Sequence, residues 1–278
     1  MTILINPQRQ LPQSTGLEAA ARDRIAADLT AVGVRAGGVL LVHSSLSALG
    51  HVPGGAETVI QGLLKALGSE GTLLFPTLSY EYVTPKNPVF DVRRTPSNIG
   101  VIPETFRKRP GSMRSIHPTH SVAGIGVRAR ELLKYHVLDR TPCGPNSPFH
   151  KLPHAHGQIL MLGCGLEPNT SMHAIEEKIE PPYLFGPEIP YILVYPDGTS
   201  YEKIYTSHGF DGWNQRYDRI EPLFEAAKLR GSGVPEGALR RGPVLQAQVH
   251  LIEAEALWAT ALDTLRQDPF AFVERIAY

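Results

Sequence analysis

The sequence predicts an α/β fold, with a mixed, mostly parallel central sheet flanked by helices and one antiparallel hairpin added late. Three observations carry that expectation. Short apolar runs of strand length (Val39 to Val42, Thr72 to Phe75, Gln158 to Leu162) alternate with longer segments whose apolar residues recur at helical spacing. Gly and Pro, 26 and 24 residues of the 278, punctuate the joins between these runs and mark a loop-rich chain. Pro196-Asp197-Gly198 forms a turn signal in the extended stretch Tyr191 to Tyr205. With 42% hydrophobic and 19% charged residues the chain reads as globular, and its length allows a large core without disulfide staples.

In order, residues 1–15 are rich in Pro and Gln and read as an extended arm, with a single domain over residues 16–278. Leu17, Ala20, Ala21, Ile25 and Leu29 give a first helix, Gly16 to Ala31. The strand Val39 to Val42 ends at His43-Ser44-Ser45. Pro53-Gly54-Gly55 then leads into a helix, Glu57 to Leu67, marked by Val59, Ile60, Leu63 and Leu64. After the strand Thr72 to Phe75, residues 78–99 form a long loop, a length uncommon without function. A short helix near Val101 to Arg107, a strand Val122 to Ile125 and the strand Gln158 to Leu162 follow. A helix from Thr170 to Ile179 stops at Pro181-Pro182. Tyr217 to Leu229 and Val249 to Leu265 read as the last helices.

Equal numbers of basic and acidic residues, 27 each, exclude a bulk electrostatic nucleic-acid binder. The chain holds no stretch of membrane-spanning length and no signal-peptide pattern at its start, so a cytoplasmic protein with reduced Cys143 and Cys164 is expected. Neither GxxxxGK[ST] nor GxGxxG is present, and Ser44 and Ser45 lack the hydrolase elbow. In such sheets ligands gather at the carboxyl ends of strands, which points to His43 to Ser45, to the loop entering the Thr170 helix, and to Arg114 to Ser121. His173 and Glu176, three apart, share one helix face; a carboxylate beside an imidazole suits a general base, and a solvated surface pair is the plainer reading. His117 and His120, or His150, His154 and His156, offer nitrogen ligands without the spacing of a strong metal motif, so no metal is expected. The remaining histidines, among them His51, His136 and His250, read as ordinary surface or loop residues.

Four ordered runs carry a resemblance. They are Leu40 to Gly50 with Pro53 to Glu57, then Arg114 to Ala123, Pro142 to Pro148, and Gly157 to Gly163 continuing to Asn169-Thr170-Ser171-Met172-His173-Ala174-Ile175-Glu176. Together they resemble the aminoglycoside 3-N-acetyltransferase family, from about residue 20 to residue 275, and imply an antibiotic N-acetyltransferase-like fold distinct from the GNAT enzymes. The resemblance implies an acetyl-CoA-dependent N-acetyltransferase acting on an amine of an aminoglycoside, with the 3-amino group as target. By position, His173 matches the family base, with Glu176 and Thr170 beside it. His43, Ser44, Ser45, Leu46 and Ser47, and Arg114, Ser115, His117, Thr119, His120 and Ser121, match segments expected to meet acetyl-CoA, Arg114 as a phosphate fork. Glu177, His208 and Asp211 are the candidates for the acceptor. Aminoglycoside-modifying relatives carry an acid in the segment aligned with Tyr205 to Asp211, where this chain has Thr206 and Ser207 with Asp211 displaced. Of Glu176, Glu177 and Glu180, at least two are expected to be solvated. Partners are small molecules, neither nucleic acid nor membrane, and a homodimer is compatible. The alternatives are acylation of another amine in biosynthesis, a metal-dependent hydrolase, and a non-catalytic CoA binder.

Overall fold

The computed structural model describes residues 3–4, 16–229 and 235–276. Strand β1 (Ile3–Leu4) pairs with β5 at the sheet edge; the rest of the expected arm lies outside the described residues. Helix α1 (Gly16–Val32) and helix α2 (Gly55–Leu67) flank β2 (Val39–Ser44), and α2 precedes β3 (Thr72–Pro76). Inside the long loop lies β4 (Val89–Asp91), followed by α3 (Val101–Lys108), β5 (Met113–Arg114), β6 (Val122–Gly126) and the short α4 (Ala129–Leu133) and α5 (Pro148–Lys151). Strand β7 (Gln158–Leu162) leads to α6 (Ser171–Ile179), which closes at Glu180 with a left-handed φ of 54° because Pro181 and Pro182 cannot continue it.

The expected hairpin is β8 (Phe185–Val194) and β9 (Ser200–His208). Then come β10 (Trp213–Gln215), α7 (Ile220–Leu229), β11 (Leu239–Val244), β12 (Ala247–Glu253), α8 (Ala254–Gln267) and β13 (Val273–Arg275). Here one expectation is corrected. Val249 to Glu253 are strand, not helix, and α8 begins only at Ala254. β12 is hydrogen-bonded between β7 and β11, with buried Val249 and Leu251 alternating with exposed Gln248 and half-buried His250. Its apolar residues lead directly into those of α8, so the periodicity of that helix conceals the boundary.

The main sheet runs β1-β5-β6-β3-β2-β7-β12-β11. Parallel pairing is confined to its centre, where β2 lies between β3 and β7; the strands outside them pair antiparallel. The central strands are buried on both faces. Leu40, Val42, Leu160 and Leu162 pack under α1, α2 and α3 with Ile25, Ile60 and Phe106. Leu41, Ile159 and Met161 pack under α5, α6 and α8 with Phe149, Ile175 and Leu257. Each such side chain stabilises the fold by about 1.5–3 kcal/mol. A smaller sheet, β4-β8-β9, folds over its own cluster of Phe90, Tyr191, Leu193 and Tyr205.

This topology gathers the chemistry at one edge. β2 and β7 end there at Ser44 and Leu162, which are register partners. β6 is antiparallel to β3, with Val122 opposite Pro76, so the segment Arg114 to Ser121 arrives at the same edge just before β6 begins. Strand β9 returns to it at His208.

Candidate active site

A cavity of about 680 Å³ opens at this edge, a size typical of small-molecule sites. Its walls come from the end of β2 (His43, Ser44), the long loop after β3 (Leu78, Tyr80, Val83), Thr119 and His120, the start of α6 (Thr170, His173), and the hairpin side (Tyr191, His208, Phe210). The long loop thus serves the site, as its length suggested.

At its centre stands His173. Glu176, three residues on and 0% exposed, accepts the Tyr183 hydroxyl at 2.8 Å on Oε1 and the Tyr217 hydroxyl at 2.7 Å on Oε2. His173 Nδ1 lies 3.1 Å from the same Oε2 and 2.9 Å from the Tyr217 oxygen. Tyr217 gives its one proton to Glu176, and a carboxylate only accepts, so Nδ1 must carry the ring proton. The lone pair of Nε2 is thereby left on the other side of the ring. Desolvation raises the Tyr183 and Tyr217 hydroxyls well above their ordinary range, and Glu176 adds to it, so both remain donors at neutral pH.

Asn169 Oδ1 accepts the Ser171 N–H at 3.1 Å, which caps α6. Thr170 occupies the cap position without using its side chain there, and it lines the cavity. Phe210, with a left-handed φ of 53°, packs its ring on His173 and Tyr183. Left-handed backbone under a bulky residue costs energy and persists where packing enforces it.

A second carboxylate stands behind the site. Glu177 accepts the Thr141 hydroxyl at 2.6 Å, the Cys143 N–H at 2.7 Å and His208 Nε2 at 2.7 Å. Burial pushes its carboxyl up to about 7. Glu176 and Glu177 are therefore both enclosed, contrary to the expectation that at least two of the three glutamates of this helix are solvated; only Glu180 is exposed. The α6 face that carries them packs under the loop around Thr141 and under Tyr217, both remote in sequence, and under Tyr183 just past the helix end.

His43 and Ser44 line the cavity, and His43 Nε2 and Ser44 Oγ are buried with no hydrogen-bond partner. Desolvation, with His173 adding to it, lowers the His43 imidazole to about 3. Ser45, Leu46 and Ser47 are set back from the cavity. The Ser45 N–H is taken by the Leu162 carbonyl at 2.9 Å, its hydroxyl pairs with Ser47 at 3.1 Å, and Leu46 packs on the core.

The Arg114 segment divides. Thr119 and His120 line the cavity; the others build its support. Arg114 is 0% exposed, and its guanidinium donates to Thr77, Ser79, Ser121 and the Thr95 carbonyl at 2.6–3.2 Å. Burial lowers it to about 9, and Arg107 nearby adds to the effect. This corrects the expectation that Arg114 grips a CoA phosphate: all three of its nitrogens point into protein. Ser121 completes that network, Ser115 bonds His136 Nδ1 at 3.0 Å, and His117 Nδ1 accepts the His120 N–H at 2.9 Å. None of the three reaches the cavity. His136, read as a surface residue, is fully buried and stacked on His117 at 4.9 Å. Asp211 is exposed and faces a separate groove with Trp213 and Phe270, so it too leaves the acceptor set. Sequence reasoning missed Tyr183, Tyr217 and Phe210, which no local pattern marks. Cys164 lines the cavity mouth, and burial pushes its thiol up to about 12.

Residues 41–266 match the family model for aminoglycoside 3-N-acetyltransferase. The chain belongs to the aminoglycoside 3-N-acetyltransferase family. Aminoglycoside N(3)-acetyltransferase VIII of Streptomyces fradiae is 31% identical over 262 residues, covering 84% of this chain and 87% of that protein. Aminoglycoside N(3)-acetyltransferase VII of Streptomyces paromomycinus is 34% identical over 257 residues, with the same coverage. The solved AAC-IIIb binary complex with CoASH superposes with a TM-score of 0.74 at 27% identity, over 88% of this chain and 96% of that one. A variant of AAC(3)-IVa in complex with a gentamicin gives 0.71 at 29% identity, over 95% and 93%. This member of the aminoglycoside 3-N-acetyltransferase family is thus an acetyltransferase with the family's mixed α/β fold, as the four sequence motifs implied. Among its described residues, no helix is long and apolar enough to cross a membrane.

Proposed function

We propose that this acetyltransferase moves an acetyl group from acetyl-CoA to the 3-amino group of an aminoglycoside, in the cytoplasm, with His173 as general base. The observation that carries the reading is the enclosed Glu176–His173 pair, whose hydrogen bonds fix the proton on Nδ1 and leave Nε2 to the cavity. The relatives' names and the CoASH and gentamicin complexes of its structural neighbours support the two substrates.

Acetyl-CoA supplies a thioester carbonyl, and the residues present fit it. The unpartnered His43 Nε2 and Ser44 Oγ await a polar guest, and Val42, Leu78 and Pro103 give an apolar wall for its arm. His173 Nε2 takes a proton from the acceptor nitrogen as the C–N bond forms and the C–S bond breaks, and returns it to the departing sulfur. Glu176 stabilises the imidazolium formed in between. The Thr170 hydroxyl, at the cavity wall, is placed to donate to the developing oxyanion.

A second reading, transfer to another amine, draws on the electrostatics. Among the described residues that line the cavity there is no Asp, Glu, Lys or Arg. Glu176 and Glu177 stand behind its wall, held by His173 and His208. Glu167 and Glu274 lie in a groove that shares Cys164, Pro168 and Gln215 with the cavity, where Glu274 is ion-paired with Arg216 and Arg219. A polycationic acceptor would have to reach Glu167 with an outlying ammonium group. Thiol release from acetyl-CoA across a panel of aminoglycosides and small monoamines decides. Turnover with aminoglycosides that falls on Glu167→Ala supports the first reading; turnover with monoamines alone establishes the second.

A further inference from the structure

Three imidazoles meet in the cavity wall, and each has one ring nitrogen tied to a neighbour. His120 Nδ1 is 2.8 Å from the Thr119 hydroxyl, His173 Nδ1 is 3.1 Å from Glu176, and His208 Nε2 is 2.7 Å from Glu177. The nitrogens left over are Nε2 of His120, Nε2 of His173 and Nδ1 of His208, the last buried without any partner. The ring centroids are 6.0, 5.4 and 4.9 Å apart in the three pairs, and one nitrogen of each ring lies within 4.8 Å of one from each of the others.

We propose that His120, His173 and His208 form a binding site for a zinc-type divalent cation, and that the bound ion switches the enzyme off. Three imidazoles with one open position are a recognised zinc set, and nitrogen donors select such an ion over magnesium or calcium. Nitrogens on one tetrahedral zinc stand about 3.3 Å apart, given Zn–N bonds of about 2.05 Å, so modest ring rotations into the open cavity complete the set. The shell behind the ligands is already built. A ligating histidine ordinarily turns its second nitrogen to a carboxylate or hydroxyl, and here Glu176, Glu177 and Thr119 stand there, the two carboxylates offsetting the ion's charge. His117 takes no part, because its Nδ1 accepts two backbone N–H groups. The inhibitory half of the proposal rests on His173 Nε2 being the base, since the metal takes the lone pair that the amine proton needs; the binding half does not.

Calorimetric titration of the metal-free protein with Zn²⁺, and visible spectra with Co²⁺, test the site without reference to turnover. One ion per chain is expected, with a cobalt spectrum of tetrahedral type. Glu177→Gln should weaken binding about 10–100-fold, and His120→Ala or His208→Ala by more than that. Thermal unfolding of each variant shows that it folds. Turnover, followed by mass as acetylated amine because zinc binds thiols, should fall as the site fills and return on chelation. Absence of one-to-one binding, or unchanged affinity in folded His120→Ala and His208→Ala, overturns the site. Full activity with the site filled overturns the switch and the assignment of His173 as base together. Activity lost on chelation would make the ion a requirement and overturn the switch alone.

Discussion

At Glu176 two tyrosine hydroxyls and an imidazole N–H converge on one enclosed carboxylate. His173→Ala should lower kcat by ~10²–10⁴-fold. Glu176→Gln should act in the same range, because an amide no longer selects the Nδ1–H tautomer. Both are read by thiol release, and a variant retaining near-wild-type kcat would remove its residue from the mechanism. Arg114→Met separates support from chemistry. It strands the Thr95 carbonyl in the interior and removes a donor from the Thr77 carbonyl and from the Ser79 and Ser121 hydroxyls. It should cost about 2–4 kcal/mol in thermal or urea unfolding, while the KM for acetyl-CoA of the folded fraction stays unchanged. A raised KM at undiminished stability would return Arg114 to the cofactor. The sequence made His173 and Glu176 visible because three-residue spacing on a helix is a local relation. Tyr217, 44 residues from His173 in sequence, reaches it only through the tertiary fold. For Arg114 the residue type was informative and the burial was not, since a guanidinium suits a phosphate and a cluster of carbonyls equally well.

Among the elements, the β7–α6 connection sets the cavity's geometry. Gly163, directly after β7, has a φ of 73°, and a Cβ there would stand 2.6 Å from the Ala48 Cβ and 3.1 Å from that of Ala247. Gly163→Ala should destabilise by roughly 1–3 kcal/mol through backbone strain and overpacking, read as a lower Tm. A Tm within a degree of wild type would show that the loop can shift. Helices and strands bounded by Gly or Pro were legible almost to the residue, as α2 and β7 show. β12 was not, because what makes Val249 to Glu253 a strand is the pair of neighbours that hydrogen-bond it, and neither pairing can be read from local periodicity.

For the molecule as a whole, the enclosed histidines tie stability to pH. Burial lowers His43 and His136 to about 3 and holds His117, His120 and His208 well below the ordinary 6.5. Below pH 6.5 the unfolded chain binds protons that the folded chain refuses. Their contribution is therefore intact above pH 6.5 and is lost as pH falls towards the folded values, at about 1.4 kcal/mol per unit for each histidine. Glu177 works in the opposite sense: its folded carboxyl keeps a proton up to about 7 where an unfolded one loses it near 4.5, so its contribution is present in acid and lost between those values. Five histidines outweigh one carboxyl. Scanning calorimetry from pH 7.5 to pH 5.5 should show Tm falling steeply, and a flat profile would mean that water reaches these rings.

Neither cysteine is set up to be a nucleophile, and that has a practical side. Cys143 is buried beside Glu177 with its thiol pushed well above the ordinary 9, and Cys164 sits at the cavity mouth with its own pushed up to about 12. At neutral pH both are almost wholly protonated, and the thiolate is the form that peroxide oxidises and disulfide dyes attack. The enzyme should therefore withstand oxidants that silence thiol-dependent catalysts, and a dye reporting CoA thiol should see the product and hardly any of the protein.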